Sequence, residues 1–323
     1  MKFGMIIDKI RQNSFHVVNG ESIHWKTGAP YSWHHSIENK TTMGPVAYPF
    51  CFEGDFINWG EWDELPKEDY DVIFLTIEKL PEKYNIGMVR KTYPNALIVG
   101  TIKELYFIHS YEQRVEFFNL CDIVVVPYQK SIYTYFPNLQ KDVNKTIYYL
   151  PQPYDVNYLY DKFYKEERNE TIFSYVAHHP PRWGATEQFA KAIGEKYNIP
   201  VVRQRTEFSP TQWHDFLNIF TKSTFCFNLD PEPQQGQQGI QSAILGVVNI
   251  GGVNDSHFTL FPETANNDVI KLEKLFYEYF TNYDKRVEII NYAWEKVNEI
   301  YSFSATRKRF KKIIDEREDA AIV

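Results

Sequence analysis

Between Thr224 and Gly252 the chain passes through an apolar run, a polar loop, a short helix and a second apolar run, and few folds accept that order. Phe225, Cys226 and Phe227 read as a buried strand. The loop from Asn228 to Gly236 contains Asp230, Pro231, Glu232 and Pro233, and its prolines fix φ and withhold N–H groups from any ladder. Apolar spacing then predicts a helix from about Gln238 to Leu245, ended by Gly246, and a strand over Val247–Ile250 leads into Gly251 and Gly252. A loop at the carboxyl end of a strand and the amino end of a helix meets free N–H groups and a positive dipole end, which suit a phosphate.

The same rhythm runs along most of the chain. Short apolar runs at 2–7, 70–76, 96–101, 122–126 and 146–150 predict strands, with helices over 82–93 and 111–120 between them. Pro151 and Pro153 interrupt the pattern, which resumes with strands at 171–177 and 199–202 and helices at 186–197 and 210–220. Strands alternating with helices of this length indicate parallel, helix-covered sheets. The stretch from Arg11 to Trp62 shows no clear period and reads as a large excursion after the first strand. With 323 residues, the chain exceeds one ordinary core. The expected architecture is α/β, with two Rossmann-like, doubly wound parallel-sheet domains facing a cleft. Their bounds are 1–153 and 154–302, and a terminal helix within 303–323 packs back on the first domain.

A net charge of −7 argues against an obligate, non-specific nucleic-acid binder. The basic helix from Ser304 to Glu316, carrying Arg307, Lys308, Arg309, Lys311 and Lys312, reads as a solvated face, with a nucleic-acid or membrane contact as the sharper alternative. Cys51, Cys121 and Cys226 are far apart and form no C-x-x-C pair, and Cys121 and Cys226, in or beside apolar strands, read as reduced core residues. No secretory leader is evident, nor any run near the ~20 apolar residues of a membrane span, and the expectation is a cytoplasmic protein. The nucleophile elbow, the Walker loop and a G-x-G-x-x-G after the first strand are absent. His178 and His179 are adjacent and point apart, without metal-ligand spacing, so no metal is expected.

In parallel sheets the ligand side is the carboxyl end of the strands. That rule selects Asp8, Lys9 and Arg11 after the first strand, Thr76 after the next, then Thr101, Lys103 and Glu104, and Tyr128. In the second half, His178-His-Pro-Pro-Arg182-Trp-Gly184 follows the strand at 171–177, and the strand at 199–202 finishes at Arg203 and Arg205.

With these residues in view, the second half resembles the donor-binding domain of GT-B glycosyltransferases, particularly the retaining ones. The family carries a basic residue and a glycine after the first strand of that domain, matched by Arg182-Trp-Gly184. It then carries the pattern E-G-x-G-x-x-x-x-E-A-x-x-x-G-x-P-V-I. Setting Gly246 on the late glycine places Gly236 on the loop glycine and Gln241-Ser-Ala243 on the E-A pair. Gln241 thus replaces the second glutamate. Pro233 replaces the first, with Glu232 one residue away.

The resemblance implies metal-independent, configuration-retaining transfer of a sugar from a nucleoside diphosphate sugar to an acceptor hydroxyl, with no cofactor. Arg182 would hold the diphosphate together with the N–H groups of Gln237, Gln238 and Gly239, with Arg205 assisting. Gln241 would hold the ribose, while Asp230 and Glu232 would touch sugar hydroxyls. Lys9, Arg11, Thr101 and Lys103 would lie on the acceptor side. Under inversion a base would be required, and Asp8 or Glu104 is the choice. The acceptor is a glycan, a lipid-linked sugar or a small molecule. One alternative is a hydroxymethylated base in DNA, as for the phage DNA glycosyltransferases. Another is a GT-B-like sugar-nucleotide epimerase or a non-catalytic sugar-nucleotide binding module.

Overall fold

A computed structural model of the chain describes residues 1–7, 14–28, 47–63, 69–76, 86–102, 110–176, 180–205, 210–229 and 235–321. It divides into two compact units, one of Met1–Tyr154 with Phe303–Val323 and one of Asp155–Ser302.

The first unit runs β1 (Phe3–Ile7), β2 (Phe15–Val18), β3 (Glu21–His24), α1 (Ala47–Phe52), β4 (Asp55–Asn58), β5 (Val72–Thr76), α2 (Ile86–Thr92), β6 (Leu97–Thr101), α3 (Tyr111–Leu120), β7 (Ile123–Val126), α4 (Ser131–Tyr135), α5 (Leu139–Asp142) and β8 (Ile147–Tyr149). Its sheet has the order β3-β2-β4-β1-β5-β6-β7-β8. Ladder pairs from β4 to β8 are parallel. β2 is antiparallel to both β3 and β4.

The edge of this sheet corrects the reading of 11–62 as an excursion and adds two antiparallel pairings to the expected parallel sheet. Part of that stretch holds a hairpin, a short helix and a strand of the same sheet. Val18 pairs with Glu21 across Asn19 (φ 53°) and Gly20 (φ 77°), the two-residue turn with both φ positive that closes tight hairpins. Four-residue strands are too short for periodicity to reveal them.

Alternate residues along the central strands face two cores. Ile6, Ile73, Leu75, Ile98, Val124 and Val126 point to one face. Met5, Val72, Phe74, Val99, Ile123 and Val125 point to the other. A sheet covered on both faces needs both registers apolar, which explains the unbroken hydrophobic runs. On the second face lies the last helix of the chain, whose Phe310 ring stands 5.3 Å from those of Phe52 and Phe74.

The second unit runs α6 (Val156–Phe163), β9 (Asn169–Val176), α7 (Pro180–Tyr197), β10 (Val201–Arg205), α8 (Pro210–Phe220), β11 (Ser223–Phe227), α9 (Gln237–Leu245), β12 (Val248–Ile250), α10 (Asp255–Leu260), α11 (Val269–Thr281) and α12 (Tyr283–Tyr301). α13 (Phe303–Ala321) then belongs to the first unit. The four strands pair in parallel in the order β10-β9-β11-β12. Phe173 packs against Phe216 and Phe220 of α8, and Phe225 and Phe227 pack against Phe276 of α11. Arg168 locks the base of this unit. Its guanidinium donates to the carbonyls of Leu245 and Thr221 and lies over the Tyr164 ring, satisfying the carboxyl end of α9.

Among the parallel strands of each sheet the order reverses once, between β1 and β5 in the first and between β9 and β11 in the second. Chains leaving the carboxyl ends there depart to opposite faces and open a crevice for a ligand.

Candidate functional site

The second reversal gathers the amino ends of α7 and α9 at the carboxyl ends of β9 and β11. Thr186 of α7 accepts from the Leu229 N–H just beyond β11 (2.9 Å), so the helix and the loop are tied together. α7 corrects one expectation. It begins at Pro180, six residues before the helix start that the sequence predicts at 186. Proline is tolerated in a first helical turn, where its missing N–H has no partner to lose. Arg182 and Gly184 thus stand in the opening turns of an 18-residue helix. Among the described residues, a Cβ on Gly184 would meet nothing within 4 Å, so they give no steric reason for the glycine.

α9 is shaped at its amino end by Gly236. The residue is the N-cap, with φ 84° and ψ 71°, and offers no side-chain acceptor to the first-turn N–H groups. A Cβ there would run into Ser256 Oγ and come 2.7 Å from Asn254 Cβ. Left-handed φ and lack of space both require glycine. Ser256 clamps the turn from α10, its hydroxyl donating to the Gly236 carbonyl (2.6 Å) and its N–H to the Gln235 carbonyl (2.9 Å).

Beneath this turn lies a buried polar network. Cys226 Sγ is 3.2 Å from Ser242 Oγ and 3.0 Å from Asn249 Oδ1, and Ser242 Oγ donates to the Gln238 carbonyl (2.8 Å). Burial pushes the Cys226 thiol up to about 12, outweighing hydrogen bonds from Ser242 and Gln238 that pull it down. It is a structural thiol with no nucleophilic use.

The expected site residues separate as follows. Gly236, Gln237, Gln238 and Gly239 form the first turn of α9 and its cap. Gln237 is exposed, while Gln238 turns inward and donates from Nε2 to the Phe227 carbonyl (3.1 Å). Gln241 is one turn further on, 5% exposed. Arg182 and Arg205 have described backbones, in α7 and at the end of β10, while their side chains lie outside the described residues. Asp8, Lys9, Arg11, Lys103, Glu104, Asp230 and Glu232 also lie outside them.

In the first unit, Thr101 ends β6 in register with Thr76 at the end of β5. Both are buried, and neither hydroxyl has a hydrogen-bond partner among the described residues. Two unmet hydroxyls at the carboxyl edge, next to the first strand reversal, are polar groups that the core alone does not explain.

One residue escaped the sequence reading. His257 of α10 is fully buried against Gly236, Gly239 and Gly252. Burial drives its imidazole down to about 3. A faint signal existed in polar Asn254-Asp-Ser-His257 following Gly251-Gly252, the place where a strand delivers the chain to the ligand side. Among the described residues no three His, Cys, Asp or Glu side chains gather as a metal-ligand set. No described helix is long and apolar enough to cross a membrane.

No protein-family model matches the chain, and no curated protein sequence does. Solved structures do match in fold. An alpha-glucosyltransferase in complex with UDP and a 13-mer DNA containing an HMU base is 12% identical, with a TM-score of 0.57, covering 98% of this chain and 99% of that one. Sucrose-phosphate synthase from Thermosynechococcus elongatus is 14% identical, with a TM-score of 0.55 and coverages of 98% and 88%. The catalytic domain of starch synthase IV from Arabidopsis thaliana, bound to ADP and acarbose, is 10% identical, with a TM-score of 0.57 and coverages of 95% and 87%. The chain has the fold of the GT-B glycosyltransferases.

Proposed function

We propose that this protein is a glycosyltransferase that moves a sugar from a nucleoside diphosphate sugar to an acceptor hydroxyl, without a metal and with retention of configuration. The observation that carries the reading is the uncapped first turn of α9, set at the strand reversal of the second unit. Its free N–H groups and dipole end meet an anion there. The solved structures that share the fold include one in complex with UDP and one bound to ADP.

The chemistry follows from charge. Breaking the bond between sugar and diphosphate leaves negative charge on the departing phosphate. Donors held in place before the reaction stabilise that charge without reorganising. In this reading the N–H groups of Gln237, Gln238 and Gly239 and the Arg182 guanidinium hold the diphosphate, with Arg205 assisting. Gln241 takes the ribose, and Asp230 and Glu232 take the sugar hydroxyls. On retention, the departing phosphate accepts the acceptor's proton, so no protein base is needed. On inversion, Asp8 or Glu104 serves as base. Lys9, Arg11, Thr101 and Lys103 form the acceptor side.

Incubation with a panel of UDP-, ADP- and GDP-sugars tests the reading. Sugar release or transfer is the expected result. An epimerised donor would make the protein an epimerase, and binding without turnover a sugar-nucleotide binding module. Arg182→Ala is expected to weaken UDP binding about tenfold or more, as loss of a charge-assisted contact does. Unchanged binding removes Arg182 from the site. A modified base in DNA is the second acceptor reading, favoured by the DNA in the alpha-glucosyltransferase complex.

A further inference from the structure

His257 has no role in the scheme above, although it stands beside the turn on which that scheme rests. It is 0% exposed, and neither Nδ1 nor Nε2 has a hydrogen-bond partner among the described residues. A neutral imidazole carries one N–H and one lone pair, and burying both unmet is destabilising. Its surroundings are shaped to it. A Cβ on Gly236 would stand 3.1 Å from Nδ1, one on Gly239 3.3 Å from Nε2, and one on Gly252 2.8 Å from Cγ. Glycines from two segments therefore let the ring lie directly against the first turn of a nine-residue helix whose N-cap provides no side-chain acceptor.

We propose that His257 is a positioning residue of the diphosphate site: it takes up a proton when a nucleoside diphosphate binds at the first turn of α9, placing a cation behind the N–H groups that hold the anion. This rests on the donor-site reading above. With no anion beside it the ring is neutral at pH 7, because burial lowers its pKa to about 3. The polar side chains of α9 are neutral: Gln237, Gln238, Gln241 and Ser242. β12 contributes Asn249. α12 and α6 pack on α9, and α12 also packs on α10; their buried faces are Ile289, Ala293, Val297 and Tyr301, and Val156, Leu159 and Phe163. Asp255 is the carboxylate of α10 itself, and Asp230 and Glu232 lie outside the described residues.

A diphosphate changes this field. At about 6 Å and an effective dielectric of about 20, each added negative charge raises the ring's affinity for a proton about a hundredfold. Two charges bring protonation from the acid range to near neutrality. The pKa is raised in the bound state, so the extra affinity is present below that value and is lost as pH rises through it.

The test is calorimetric titration of the full chain with UDP, with inorganic pyrophosphate and with uridine, in two buffers of different ionisation enthalpy. At about pH 6 the wild type is expected to take up about half a proton or more per UDP, and His257→Leu none. The variant should bind UDP and pyrophosphate about tenfold more weakly at about pH 6, near the wild-type value at about pH 8.5, and uridine equally at both. His257→Asn provides the same comparison should the leucine variant fail to fold. Equal proton uptake in wild type and variant, or none in the wild type, overturns the role of His257 while leaving the donor site intact. A wild-type chain that binds neither UDP nor pyrophosphate overturns the donor-site reading itself.

Discussion

Gly236 shows how one residue can be legible in sequence for only part of its reason. Its place in a polar loop before an apolar helix marked it, but the φ of 84° and the contact with Ser256 depend on a segment twenty residues later. Gly236→Ala is expected to cost about 1–3 kcal/mol in urea unfolding, the range for strained non-glycine backbone, and to weaken UDP binding with it. His257 was less legible still, because its environment is distributed over Gly236, Gly239 and Gly252 and no local pattern announces a buried imidazole. Its pH dependence follows from sign. The folded-state value, about 3, lies below the ordinary 6.5, so its contribution is full above pH 6.5 and is lost as pH falls towards 3. Between about pH 7.5 and pH 5, unfolding free energy should fall about 2 kcal/mol further in the wild type than in His257→Leu. Urea titrations of both proteins at the two pH values check this, and equal losses would rule out a buried neutral ring. The three thiols lie at the other extreme. Cys51, Cys121 and Cys226 are buried, and burial pushes Cys121 and Cys226 up to about 12, so none should react with a disulfide reagent until the chain unfolds.

Elements with a long enough period were readable, and elements defined by a turn or a terminus were not. The span of α3 matches its predicted bounds at 111–120 because Ser110 and Gln113 form a local capping box. α11 likewise starts where the Asp268 side chain accepts from the N–H groups of Ile270 and Lys271. The β2–β3 hairpin was missed although Asn19-Gly20 is a strong turn signal, because strands of four residues leave no alternation to count. α7 starts six residues before its predicted bound because Pro180, Pro181 and Gly184 mask the helical pattern, whereas proline is tolerated in a first turn. α13 needs tertiary context most of all. Its basic face is exposed at Lys308, Lys311 and Lys312, while on the other side Phe310 is fully buried among Phe52 and Phe74 and Arg307 donates to the Cys51 carbonyl. Phe310→Ala should therefore cost about 3–5 kcal/mol, as a large core truncation does. Thermal unfolding of that variant measures the loss, and a change within a few tenths would mean that α13 is dispensable to the first sheet.

For the whole molecule, alternating strands and helices specified two α/β units, and the parallel strands of each unit share one plan with a single reversal of order. That repetition is why architecture was readable at 10–14% identity to the solved structures cited above, where side-chain roles were not. A fold of this kind places ligands at the reversal and leaves their identity to the loops. The acceptor is therefore best approached through a property of the entire chain, its net charge of −7. A DNA acceptor carries a phosphate for every nucleotide, and an acidic protein must meet them through local lysines and arginines against its own mean field. Each phosphate so neutralised contributes about 0.7–0.9 to the fall of log K against log salt. A glycan or small neutral acceptor contributes none. With a donor in place, binding of a short oligonucleotide containing a hydroxymethylated base should weaken steeply between about 50 and 200 mM salt if DNA is the acceptor, by about a thousandfold for six contacts. Fluorescence anisotropy over that range decides between them: a flat profile, or no binding even at low salt, eliminates the DNA acceptor and leaves glycans and small molecules.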